Sequence, residues 1–256
     1  MPHIPEKAAE LRAIPLPMGA IVPSDSIVEK ISAALKSHRL RLLVGDILVL
    51  KHKIVSKAEG RVVALGDVKA SPAARRWAKA HDLDPRVSHL ALAEARRIVR
   101  QRNGVLITET RHGWICANSG VDVSNVDGGK SAVLLPADAD RSAANIRRGL
   151  KKKFRIGIPV IISDSFGRPW REGLTDVAIG VAGMSVFRDY RGRRDGFGYS
   201  LRVSLEAVAD ELAGVAGLVC GKLTGVPACI IRGFIFAEGR GSAKDLIRPA
   251  ARDLFR

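Results

Sequence analysis

Aromatic residues make up only 5% of this 256-residue chain, although 46% of its residues are hydrophobic. Its core must therefore be aliphatic rather than built on stacked rings. Cysteine is scarce too. Cys116, Cys220 and Cys229 are odd in number, form no C-x-x-C pair and sit in apolar sequence. That argues against a disulfide framework or a zinc ribbon and reads as three buried thiols. No apolar run reaches the ~18 residues that a membrane-spanning helix needs. The opening MPHIPEKAAELRAIPL lacks the basic-then-apolar order of a secretory signal, so the expected location is the cytoplasm. There is no GxxxxGK[ST] loop, no nucleophile elbow, and no pair of histidines at a ligand spacing such as HxxxH.

Negative charge is also short. Against 42 Lys and Arg stand 26 Asp and Glu, a net charge of +16. Such a surface gathers anions. The densest cluster, RRGLKKKFR at Arg147–Arg155, falls in the last turns of a predicted helix, where cations suit the negative end of the dipole. No aromatic interleaving, RNP-like strand or zinc-finger spacing accompanies it, so nucleic acid is not the expected partner. A small anionic substrate, or no more than a soluble surface, accounts for the charge instead.

Helices and strands alternate without a βαβ period, which predicts an α+β fold of mixed sheets with packed helices rather than a Rossmann sheet. Ser24-Asp25-Ser26 caps a helix carrying Ile27, Ile31, Ala34 and Leu35. RLLVGDILVL at 41–50 reads as a strand with a Gly-Asp break. Ser71-Pro72 opens a short helix, and Ser88 caps a longer one that runs to Asn103-Gly104. A hairpin follows, turning near His112-Gly113. Residues 138–154 read as a helix, 156–163 and 176–185 as strands, 186–200 as a charged loop. Residues 203–220 read as a helix, 227–236 as a strand and 242–255 as a last helix.

Four segments hold polar residues that core packing does not call for. HKIVSKAEGR (52–61) places Lys53, Lys57 and Arg61 near Gly60, which suits either polyphosphate contact or a solvated basic turn. NSGVDVSNVDGG (118–129) groups Asp122, Ser124, Asn125 and Asp127. These are hard oxygen donors for Mg²⁺ or Mn²⁺, or a turn whose side chains cap their own backbone. ISDSFGRPWREG (162–173) puts Asp164 and Ser165 at a strand end, followed by Arg168 and Arg171, whose planar forks match phosphate or carboxylate. It reads equally as a salt-bridged loop with Glu172 and Asp176 as partners. RGRRDGFGY (191–199) is an arginine-rich loop for an acidic substrate or for solvent.

Taken in order, HKIVSKAEGR, NSGVDVSNV, SDSFGRPWREGLTDVAIG, GRRDGFGYSLRV and AVADELAGVAGLVCGKLTGVP resemble the coenzyme F420-0:L-glutamate ligase family, from about Ile14 to Gly239. The resemblance implies a two-part α+β fold peculiar to the family, a single domain over 1–256 and a homodimer. It implies a ligase that adds L-glutamate to the lactyl-phosphate arm of a deazaflavin, with GTP and a divalent metal. K⁺ is a further candidate ion. Position by position it implies metal ligands at Asp122, Asp164 and Ser165. It implies nucleotide contacts at Gly19, Ala20, Ile21 and Val22, at His52, Lys53, Lys57 and Asn125, and at Val219, Gly221, Lys222 and Gly225. Lys57, Arg168 and Arg171 would offset charge during catalysis. The N-terminal loop reads PMGAIVP where the family usually has a GLPE-like turn. Lys222 stands where some relatives offer an acidic or amide ligand. No C-terminal flavin-binding domain is expected. Two other readings stay open, a sister amide ligase acting on a different acid and a non-catalytic anion or RNA binder.

Overall fold

A computed structural model describes residues 10–254. One five-stranded sheet dominates it, in the order β1 (Arg12–Leu16), β12 (Ala228–Arg232), β2 (Ile47–Lys51), β8 (Val160–Arg168), β9 (Arg171–Ala182). β2 and β8 run parallel, and the other neighbours are antiparallel. The central strands are apolar at nearly every position, the pattern of strands covered on both faces. Leu48, Leu50, Ile162 and Ile230 face helices α1 (Ile27–Ser37) and α5 (Ala139–Phe154). Their alternates Ile47, Val49, Ile161 and Ile231 face α6 (Val208–Cys220). The core is aliphatic, and all three cysteines are buried and free, as the composition predicts.

The remaining elements form a smaller unit over the end of that sheet. α2 (His52–Ala58) follows β2 without a linker, and β3 (Val62–Ala64) then pairs with β7 (Ser131–Val133). α3 (Pro72–His81) and α4 (Pro85–Glu94) each begin with proline in the first turn. Ser71 and Asp84 cap them. β4 (Ala95–Arg102), β5 (Val105–Thr110) and β6 (Ile115–Ala117) form a meander. A short ladder joins β10 (Arg188–Asp189) to β11 (Leu205–Glu206) in the otherwise irregular charged segment. The fold is α+β with mixed sheets, as expected.

Several predicted boundaries move. The helix read from Ser88 to Asn103 is α4 ending at Glu94, then strand β4. Asn103 and Gly104 have φ of 48° and 78°, so they form the tight turn of the β4–β5 hairpin rather than a helix stop. ISDSFGRPWREG is not a loop. It is the β8–β9 hairpin, turning at Pro169-Trp170. The strand read over 41–50 starts only at Ile47, after the fully buried Asp46. That carboxylate accepts two hydrogen bonds from the Arg232 guanidinium at 2.7 and 2.9 Å and one from Leu43 N at 2.7 Å. Pro249 splits the predicted last helix into two short 3₁₀ turns, Ala243–Leu246 and Ala250–Arg252. Its predicted end, Phe255, lies outside the described residues.

Candidate active site

The strand order brings the marked segments to one edge of the large sheet. β2 ends there at Lys51, opposite Ser163, and β8 runs on past that point to Arg168. The loop after β1 and the loop before β12 open at the same edge, since Leu16 pairs with Ala228 and Ala228 with Leu50. The carboxyl ends of parallel strands are where open sheets bind ligands.

α2 supplies the cations. Lys53 and Lys57 are four residues apart and share a helix face. The Lys53 ammonium lies 2.8 Å from Asp122 Oδ2 and donates to the Ser124 hydroxyl at 2.8 Å and the Ser124 carbonyl at 2.9 Å. Lys57 donates to the Asn125 carbonyl at 3.0 Å. Asn125 has φ of 54°. HKIVSKAEGR and NSGVDVSNVDGG are thus one unit: basic helix against acidic loop. Arg61 does not join it. Its guanidinium is held by the Leu135 carbonyl at 3.0 Å and by Glu94 at 2.7 Å. Burial raises the Asp122 carboxyl pKa, but the Lys53 ammonium and the Ser124 N–H and hydroxyl outweigh it and leave the group below its usual value. Burial, with the neighbouring Lys53 charge, lowers the Lys57 pKa against the pull of Asp127.

Beside α2 runs a second chain of contacts. His52 is buried, with Nδ1 3.3 Å from the Ser56 hydroxyl and Nε2 3.3 Å from Asp164 Oδ1. Asp164 Oδ1 also accepts Ser165 N at 2.7 Å. Neighbours along a strand point to opposite faces. Ser165 accordingly turns away and donates to Asp176 Oδ1 at 2.5 Å, while the other oxygen of Asp176 takes the Lys51 ammonium. A Cβ added at Gly217 of α6 would stand 2.6 Å from Asp176 Oδ2, so the helix packs directly on that carboxylate. On the Asp164 side lies Cys116. Burial, reinforced by the Asp164 charge, pushes its thiol up to about 12.

Of the two loops expected to contact nucleotide, the N-terminal one falls beside α2. Ser24 N donates to the Ala58 carbonyl at 2.9 Å, and Lys30 donates to the Ala20 carbonyl at 2.9 Å. These bonds hold Gly19, Ala20, Ile21 and Val22 near the end of α2, with Ile21 buried and the other three exposed. Val219 packs into the core, and Gly221, Lys222 and Gly225 lie in the exposed loop that follows. That loop meets β2 where Lys51 N donates to the Pro227 carbonyl at 2.8 Å. Arg168 and Arg171 are not brought in. They pair across the exposed hairpin tip, about 13 Å along β8 from Asp164 at the usual strand rise. Arg168 donates to the Glu172 carbonyl at 3.0 Å. Asp176 pairs with Lys51 rather than with these arginines.

Two residues beside the site are not among those the sequence points to as functional. Lys51 immediately precedes the marked His52-Lys53, and Asp176 follows Asp164 across the hairpin. Their pairing over 125 positions has no local signal.

Among the described residues, no group of three or more His, Cys, Asp or Glu side chains is arranged to hold a metal ion. Asp122 lies in a loop and Asp164 on β8, while Ser165 faces the other side of β8 and is taken by Asp176, so the hard oxygen donors that remain are Asp122 and Asp164. They suit a Mg²⁺ or Mn²⁺ ion that arrives on phosphate oxygens, and not an all-protein cage.

Residues 15–233 match the family described as F420-0:Gamma-glutamyl ligase. The chain belongs to that family. It is 45% identical over 242 residues to the coenzyme F420:L-glutamate ligase of Methanothermobacter thermautotrophicus, covering 93% of this chain and 96% of that one. The protein of the same name from Methanopyrus kandleri is 42% identical over 252 residues, 96% of this chain and 98% of its own. That of Methanocaldococcus jannaschii is 43% identical over 213 residues, 83% and 85% respectively. Family membership covers both faces of the site, since α2, the Asp122 loop and the β8–β9 hairpin all lie inside the matched span.

Proposed function

We propose that this protein is a GTP- and divalent-metal-dependent ligase that joins L-glutamate to coenzyme F420-0 through an amide bond, any further glutamate following in γ-glutamyl linkage. The observation that carries the reading is the meeting of Lys53 and Lys57 with Asp122 and Asn125, next to Asp164, in a chain of this family.

The chemistry requires an activated carboxylate. A carboxylate oxygen of the acceptor attacks the γ-phosphorus of GTP, the bond to the β-phosphate oxygen breaks, and GDP leaves. The glutamate amine then attacks the acyl carbon. The carbon–oxygen bond to phosphate breaks, and phosphate and a proton depart. Such reactions depend mainly on alignment and on neutralising charge. In this reading the two lysines of α2 hold the phosphates, and the loops at 19–22 and 221–225 enclose the rest of the nucleotide. Asp122 and Asp164 would hold the metal, which supplies neutralisation of phosphoryl charge when bound; Ser165, expected as a further ligand, faces the other side of β8 and bonds Asp176 instead. Asp176 holds Ser165 by its hydrogen bond, and the buried His52 lies against Asp164.

The test is GDP release by the purified protein with GTP, Mg²⁺ or Mn²⁺, L-glutamate and F420-0, with product mass read in parallel. Release that depends on F420-0, with a product heavier by one or more glutamyl units, supports the reading. GTP binding without turnover on F420-0 points to a different acid substrate. Salt-sensitive RNA affinity without GDP release would move the protein out of the enzyme class.

A further inference from the structure

A groove of about 260 Å³ opens along the outer edge of β9. Its lining includes Trp114 and Ile115 of the β5–β6 hairpin, Phe166 and Val177 of the large sheet, and Ile247 and Arg248 of the C-terminal segment. Aromatics are rare in this chain, yet two of them line this one groove. No residue of the nucleotide or metal set lines it.

The groove lies beside Asp164, on the same face of the sheet. Val177 is the direct cross-strand partner of Asp164, and Phe166 lies two residues beyond it on the same strand. All three side chains therefore share one face, and paired Cβ atoms lie about 5 Å apart. The sheet order then sets out the whole site in a line. The nucleotide segments belong to β1, β12 and β2, Asp164 lies on β8, and the groove borders β9. A ligand in the groove would approach Asp164 from the side opposite the nucleotide, as an acceptor must for its carboxylate to meet a terminal phosphate.

We propose that this groove takes the flat tricyclic ring of the deazaflavin acceptor, with Phe166 and Trp114 against the ring and the acidic arm running inward to Asp164. This rests on the ligase reading above and adds the acceptor's place in it. The volume is slightly below the ~300 Å³ at which ordinary small-molecule sites begin. It holds a ring system and leaves the polar arm outside, which matches an acceptor whose reacting group lies at the far end of that arm. The lining carries charge of both signs, Arg248 with Asp210 and Asp253.

The test uses a deazaflavin chromophore that lacks the phosphodiester arm, titrated into the full-length protein without GTP. Two variants accompany the wild type: Phe166→Ala, which removes a ring contact, and Ile247→Trp, which fills an open groove without cutting into the core. Thermal unfolding confirms that both fold. The expected result is saturable chromophore binding that each variant weakens at least about tenfold. The KM for F420-0 should rise in step while that for GTP stays within about twofold. Equal chromophore affinity in all three proteins, or none in a wild type that turns over F420-0, overturns the groove assignment and leaves the ligase reading standing. Chromophore binding lost in the variants, with no glutamylated product from the wild type, keeps the groove and removes the ligase reading.

Discussion

The Lys53 ammonium sits 2.8 Å from Asp122, the carboxylate proposed to hold a metal. Without nucleotide the protein thus supplies its own cation to that oxygen. A metal arriving on phosphates would compete with the lysine, or release it to the phosphates. Lys53→Met should therefore bind Mn²⁺ more tightly than the wild type in the absence of nucleotide, while GTP binds about tenfold more weakly. Mn²⁺ titration by electron paramagnetic resonance and GTP calorimetry read the two effects. A fall in both would mean that Lys53 only props the loop.

Lys57 titrates below the usual lysine value of 10.5, because burial and the Lys53 charge disfavour its ammonium form. Phosphates favour that form. GTP affinity should thus be complete below the Lys57 pKa and decline as pH rises through it, earlier than an ordinary lysine would allow. Lys57→Arg should move the decline to higher pH. The Kd for GTP measured from neutral to alkaline pH checks the sign. A flat profile in the wild type would place Lys57 away from phosphate.

Asp164→Asn keeps the shape of the side chain and removes its charge. Turnover should fall about a thousandfold or more, with unfolding by urea nearly unchanged. Activity close to that of the wild type would take Asp164 out of the metal site.

Gly217→Ala sets two effects against each other. Alanine favours a helix interior by about 1 kcal/mol, but here its Cβ would press on the Asp176 carboxylate, which Lys51 and Ser165 already fix. The expected outcome is a melting temperature within a few degrees of the wild type and a kcat reduced about tenfold or more. Unchanged kcat would show that Asp176 has room to yield without disturbing Ser165.

Arg232→Ala tests the fold alone. Asp46 has no solvent exposure, and the guanidinium is its paired charge. Removing it should cost about 3 kcal/mol in urea unfolding. Asp46→Asn should cost less, because it removes the buried charge and keeps the shape.

Local chemistry makes much of the site legible in the sequence. Lysines after an apolar strand, an acidic turn and an aspartate at a strand end stand out from residue types and spacing alone. What is not legible depends on partners far away. ARRIVRQR has the alanine and arginine content of a helix, and only pairing with VLITET across Asn103-Gly104 makes it a strand. The same applies to SDSFGRPWREG. Its glycines and proline suggest a loop, while its pairing with residues 171–182 extends the sheet and carries Arg168 and Arg171 out to the tip. Asp176 suggests a partner within its own loop, but Lys51 claims it from 125 positions away. The predicted 242–255 helix fails for a local reason that the sequence does contain, the proline at 249.

The outer edge of β9 has one more consequence. Ala178 N donates to Asp210 at 2.8 Å, and Val181 N donates to Asp140 at 2.8 Å. Both carboxylates come from the first turns of helices that pack on the sheet. At the opposite edge β1 carries Pro15, which has no amide hydrogen to offer. An incoming strand would find acceptors where it needs donors, or nothing to bond. The sheet is therefore finite by construction, and a second copy of this chain would have to associate through side-chain surfaces rather than by lengthening the ladder.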